Sequence, residues 1–317
     1  MSLSLSHYVQ LTLLITHLYL ISSLEICPIN NWFDTGIDAI DLSISSEGDL
    51  FIIATDNRIY QYDHLSNTYS LLHADNEVTQ PKRIAVDSQG TPFVLSNSGE
   101  IYYLSFHNHW IKLPGCASDI SIGRNGDIWK LGCHQLQNGG YAISKLSCDD
   151  EISFISPVIN LEREYVRFRR SWGDAETFDA FANYDVLPNE FQYKDDIMKE
   201  QCHWVDIEGE GMRIAVGING EPYIIAPGGI VMKYETPSWN GIYGQAALDL
   251  DVSNEGVLFT VGVDGTVMRC VVEEMGTWIQ LDGINAMNIA VGPYSQPVIS
   301  RFLDGRVFTS TNVLTYN

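Results

Sequence analysis

The residues that could do chemistry are numerous but scattered. The chain carries 40 acidic side chains, eight histidines and six cysteines in 317 residues. A metal centre or an activated nucleophile needs such groups at short, patterned spacing. His107 and His109 can share a strand face, yet no third ligand stands at a fitting spacing, and His7 and His17 fall in an apolar N-terminal segment. No Gly-X-Ser-X-Gly elbow, phosphate-binding loop or HExxH pair occurs. Carboxylate neighbours such as Asp195-Asp196 are common, but spacing alone brings no two of them together for acid–base work. The expectation is a chain that is not an enzyme and that holds no metal or cofactor.

The cysteines suggest bridges instead. Cys116 and Cys133 flank a hairpin turn at Arg124-Asn125 and should face each other across it. Cys148 and Cys202 bracket a long stretch unlike the rest of the chain, and Cys27 and Cys270 pair by elimination. Residues 1–23 read as a signal peptide: an apolar run over Leu11–Ile21 ends in the small residues Ser22-Ser23. An even cysteine count behind such a segment implies a secreted mature chain over 24–317. No later segment is apolar for long enough to enter a membrane. The net charge of −22 repels phosphate backbones and anionic headgroups, which argues against nucleic acid as a partner.

The elements that must position any site come from a repeat. Asp41-Leu-Ser-Ile-Ser-Ser-Glu-Gly48 recurs without a gap as Arg83-Ile-Ala-Val-Asp-Ser-Gln-Gly90, Asp119-Ile-Ser-Ile-Gly-Arg-Asn-Gly126, Arg213-Ile-Ala-Val-Gly-Ile-Asn-Gly220, Asp249-Leu-Asp-Val-Ser-Asn-Glu-Gly256 and Asn288-Ile-Ala-Val-Gly-Pro-Tyr-Ser295. Two aliphatic residues two apart give each copy a buried strand face, and the closing Gly supplies the positive φ of a tight hairpin. A second strand carries Phe51, Phe93, Trp129, Tyr223, Phe259 or Val298. A third follows a turn such as Ser98-Gly99 or Asp264-Gly265, and a fourth opens at an aromatic residue: Tyr69, Trp110, Trp204, Trp239 or Trp278. Four strands in about 40 residues make a propeller blade, and six copies predict an all-β, six-bladed β-propeller. The last copy lacks a fourth strand, so the segment at Trp32 is expected to supply it and close the ring. The turn residues are spaced by 42, 36, 94, 36 and 39 positions; the long interval places an insertion at about 149–201, between the third and fourth strands of blade three.

These residues resemble the tectonin family of propellers, most fully from Trp110 through Gly115 and Gly126 to Trp129. The resemblance implies tectonin-like repeats and, for secreted members, recognition of sugars. A lectin-like chain binding glycans or glycoproteins is therefore expected. The alternative is an extracellular scaffold that docks a protein through residues 149–201. The aromatics Trp32, Tyr69, Trp110, Trp204, Trp239 and Trp278 are expected to fill one packing slot per blade rather than to stack on sugars. Ligand contact is assigned to polar loop residues between blades, namely Asn108, His109 and Asn240.

Overall fold

The computed structural model describes residues 32–310 except 46, 64, 65, 67, 106, 149–201 and 272–276. Residues 1–23, read above as a signal peptide, the stretch 149–201 and Cys27 lie outside the described residues. Described residues form strands, turns and bends, with no helix among them.

The strands follow one another as antiparallel four-stranded meanders. The first contains the later part of β1 (Phe33–Ile44), β2 (Leu50–Ala54), β3 (Ile59–Asp63) and β4 (Thr68–Leu71). The second is β5 (Pro81–Val86), β6 (Pro92–Ser96), β7 (Glu100–Leu104) and β8 (Trp110–Cys116). The third is β9 (Asp119–Ile122), β10 (Ile128–Gln135), β11 (Tyr141–Cys148) and β12 (Cys202–Gly211). The fourth is β13 (Arg213–Val216), β14 (Pro222–Ile225), β15 (Val231–Glu235) and β16 (Ser238–Ile242). The fifth takes β17 (Ala247–Val252), β18 (Val257–Gly262), β19 (Thr266–Val271) and the start of β20 (Trp278–Val291). The rest of β20, with β21 (Pro297–Arg301), β22 (Arg306–Thr309) and the start of β1, makes the sixth.

β1 and β20 each change partners part-way. Phe33 and Asp34 of β1 pair with Thr309 and Phe308 of β22, whereas Leu42–Ile44 pair with β2. The N-terminal strand thus does join the C-terminal one. Among the described residues hydrogen bonding gives one ten-stranded sheet and three four-stranded sheets, not six separate ones, and none of these closes on itself.

The hairpin logic of the repeat is borne out. Gly48, Gly90, Gly126, Gly220 and Gly256 all have φ between +74° and +94°, and Ser295 adopts +59° in the same place. Each N–H bonds back three residues, as Gly90 does to Asp87 O at 3.1 Å. The second-strand residues are core: Phe51, Phe93, Trp129, Tyr223, Phe259 and Val298 are buried.

Six hydrophobic clusters fill the spaces between successive meanders. Phe51 and Ile53 of the first pack with Ile84 and Val94 of the second. Leu42 and Ile52 of the first pack with Val298 and Val307 of the sixth.

The disulfides need one correction. Cys148 faces Cys202 in register across β11 and β12, Cα atoms 4.0 Å apart, and so ties the base of the insertion. Cys116 and Cys133 are also bridged, with Cα atoms 5.5 Å apart, but not across one hairpin. Cys116 ends β8, where it pairs with Glu100, while Cys133 lies on β10. Between them the chain passes from the second meander to the third, so the bridge joins neighbours. Cys270 is fully buried on β19; its proposed partner Cys27 lies outside the described residues.

Candidate functional site

The first strand of each meander has a sheet partner on one edge only, so half its backbone N–H groups point away from the sheet and need other acceptors. The sequence supplies them in alternation. Asp41 Oδ2 accepts the N–H of Ile84 at 2.7 Å, Asp119 Oδ2 that of Ile214 at 3.0 Å, and Asp249 Oδ2 that of Ile289 at 3.0 Å. Each latch runs from an odd-numbered meander to the next even one. Two residues further along, Ser121 Oγ accepts from Val216 N at 3.1 Å and Asp251 Oδ2 from Val291 N at 2.7 Å.

The first residues of the six repeats therefore meet. Arg83 reaches Asp41 at 2.7 Å, Asp119 at 3.1 Å and Asp249 at 3.6 Å. Arg213 Nε lies 3.3 Å from Asp249. The Asn288 amide completes the group when its oxygen faces Arg83 Nη1 at 3.3 Å and its nitrogen faces Ile40 O at 3.1 Å. Arg83, Asp41, Asp119, Asp249 and Asn288 are all buried. Burial works against the Arg83 charge, yet Asp119, Asp41 and Asp249 outweigh it and hold its pKa above the ordinary value. Burial pushes Asp41 up to about 6 despite Arg83 beside it, and it raises Asp249 as well. Apart from the partly exposed Arg213, the cluster is withdrawn from solvent and its charges answer one another, so it acts as a structural hub.

Beyond it, toward the turns that follow these first strands, the centre opens into a small polar funnel. Its rim is built from five turns, contributing Ser45, Ser88, Arg124, Ile218 and Asn254. Its wall holds Ser43, Ser121 and Asp251. Asp251 keeps an accessible edge here, while Val252 N and Val291 N donate to its two oxygens at 2.8 and 2.7 Å. Burial nevertheless raises its pKa to about 7, with Asp249 adding to the rise and the two N–H donors opposing it. A carboxyl titrating near neutrality inside a concave polar recess marks a candidate site.

The residues singled out in the sequence lie elsewhere. Asn108 and His109 occupy the exposed β7–β8 turn, where Asn108 O accepts from Asp75 N and His109 Nε2 stands 3.3 Å from Asp75. Asn240 is exposed on β16 and donates to Glu235 at 2.8 Å. Antiparallel order puts these three positions at the funnel end of their sheets, but none is part of its lining.

The repeated aromatics are staples. Indole Nε1 of Trp204, Trp239, Trp278 and Trp32 donates to Pro114 O, Glu208 O, Tyr243 O and Asp282 O of the preceding meander, at 2.6–3.0 Å. The Tyr69 hydroxyl does the same to Thr35 Oγ1 at 3.1 Å. Trp110 is buried between the first and second meanders. Glycines make room for the rings: a Cβ on Gly209 or Gly244 would sit 2.7 or 2.5 Å from the next indole Nε1.

Asp251 was missed by motif searching, although a signal existed. Reading the third position of the six repeats as a column gives Ser43, Ala85, Ser121, Ala215, Asp251 and Ala290, five small residues and one carboxylate.

No family model and no curated protein matches the sequence. Solved structures do match. The chain is similar to a streptogramin B lyase at 15% identity and TM-score 0.51, covering 90% of this chain and 86% of that one. It is similar to a gluconolactonase from Xanthomonas campestris at 11% identity and TM-score 0.53, covering 88% of each. Both are β-propellers, and likeness at this identity establishes the fold: this chain is a β-propeller. Neither of these two is a tectonin or a lectin by name. They also overturn the expectation of a non-enzyme. Two propellers of this shape are enzymes by name, so neither the fold nor the lack of a contiguous motif excludes catalysis when a site is assembled from distant turns.

Proposed function

We propose that the six meanders are the blades of one ring, closed by the N-terminal part of β1, and that the secreted protein recognises glycans in its axial funnel. Closure is supported by the hydrophobic cluster uniting the first and sixth meanders and by the β1–β22 pairing. Secretion is supported by the two disulfides, which persist in oxidising compartments.

The observation that carries the glycan reading is the funnel's chemistry. Serine hydroxyls, an amide and a carboxyl line a concave recess, a set suited to a hydroxyl-rich ligand. The stapled tryptophans are already engaged between blades. Ser88→Trp should fill the funnel without altering a strand. On a glycan array the parent chain should bind and Ser88→Trp should not, while Asn108→Ala, His109→Ala and Asn240→Ala retain binding. The reverse pattern would return recognition to the outer loops.

A second reading, proton-transfer catalysis on a bound hydroxylated substrate, is favoured by the near-neutral titration of Asp251. Turnover of a sugar lactone that Asp251→Asn abolishes would replace simple recognition with this reading.

A further inference from the structure

The alternation of first strands has one exception, and it falls in the funnel. At the second latch position a serine suffices: Ser121 Oγ accepts Val216 N–H at 3.1 Å. Ser43 occupies the equivalent place in the first meander, and the even meanders carry Ala85, Ala215 and Ala290. Asp251 performs the same latch to Val291 N with one oxygen, so its charge exceeds what the latch requires. A carboxylate has about four acceptor sites, of which backbone N–H groups here fill two. The carboxylate lines the recess together with Ser43 and Ser121.

Resting on the funnel as the glycan site, we propose that Asp251 is a specificity-determining residue that selects polyhydroxylated ligands bearing an aliphatic ammonium group. The ammonium would be held by the carboxylate and the hydroxyls by the serines. Arg124, the other charged group of the lining, is solvent-exposed at the rim, where water screens it. Further charges around Asp251 are Asp249 on its own strand and, one side-chain row away, Asp41, Arg83, Asp119 and Arg213 on β1, β5, β9 and β13. With Asp249 they form a hub of three carboxylates and two guanidiniums, which leaves the centre net acidic.

Calorimetric titration of the intact chain with N-methylglucamine and with sorbitol tests this, since the two probes differ by the amine. At pH 8 the amine should bind at least tenfold more tightly. That advantage should shrink by up to tenfold per pH unit below about 7, as the carboxyl protonates. Asp251→Ser, which restores the latch residue of the other odd blades, should melt no lower than the parent, and both it and the isosteric Asp251→Asn should lose the amine preference. Equal affinity of the two probes, or a preference kept by both variants, overturns the proposal. If neutral glycans still bind on an array in that case, the funnel reading survives alone; if no glycan binds, both fall.

Discussion

At the scale of single residues, the centre of the molecule is held by an arginine that answers several acids at once. Arg83 touches Asp41, Asp119 and Asp249 in a buried hub. Arg83→Met keeps the bulk but strands those carboxylates, which should cost about 3–5 kcal/mol in urea unfolding at pH 7.5. The loss should be smaller at pH 5, because Asp41, already raised to about 6, then takes up a proton instead of remaining as an unpaired charge. Asp251 gives a second prediction. Its folded pKa lies above the ordinary carboxyl value, so the folded state binds more protons than the unfolded one between about pH 4 and 7. Stability from this group therefore falls as pH rises through that window, by on the order of a few kcal/mol at most. The margin of Asp251→Ser over the parent in thermal melts should be near zero at pH 4 and widest above pH 7. Ser295 shows a different solution: a non-glycine with φ of +59° whose hydroxyl bonds Ser253 and Glu255 in the preceding turn.

At the scale of elements, neighbouring sheets are joined by an indole seated over a glycine. Gly244→Ala would place its Cβ 2.5 Å from Trp278 Nε1, with overpacking of about 1–3 kcal/mol. Gly241→Ala, three residues away on the same outer edge and with nothing within 4 Å, is the control and should stay within about 0.5 kcal/mol in the same melts. The Cys148–Cys202 bridge closes a loop of sequence separation 54, and its loss should lower stability by about 4 kcal/mol in the chain-entropy model. Comparing Cys148→Ser/Cys202→Ser with the parent by urea titration checks this. Much at this scale was legible beforehand. The repeat fixed the strand alternation and the positive-φ turns, since a two-residue period and a glycine leave little freedom. Even the displaced Trp32 strand could be placed. The Cys116–Cys133 bridge was paired correctly but assigned to one hairpin, because counting outward from a turn ignores that β8 belongs to the sheet before it.

At the scale of the whole molecule, the sites were less legible, for a geometric reason. The funnel gathers turns from Ser45 to Asn254, and only the arrangement of the sheets about a centre brings them together. The hub residues open each repeat in the sequence, yet only the facing of the first strands shows that they meet. Asn108, His109 and Asn240 are expected at a ligand only as polar loop residues between blades, a description many surface residues share. The joining of the ends is itself testable. Removing residues 1–38 takes away the partner of β22 and leaves that strand as an open edge. The truncated chain should unfold at lower urea and self-associate in light scattering.

The alternation of latches carries a last consequence. Every carboxylate-to-backbone bond at the hub runs from an odd meander to the even one after it. The molecule thus has a grain two sheets wide, with three cassettes instead of six equal parts. Circular permutants with new termini between β8 and β9, or between β16 and β17, keep each cassette whole. Termini placed between β4 and β5, or between β12 and β13, sever one, and those permutants should be the ones that refold poorly.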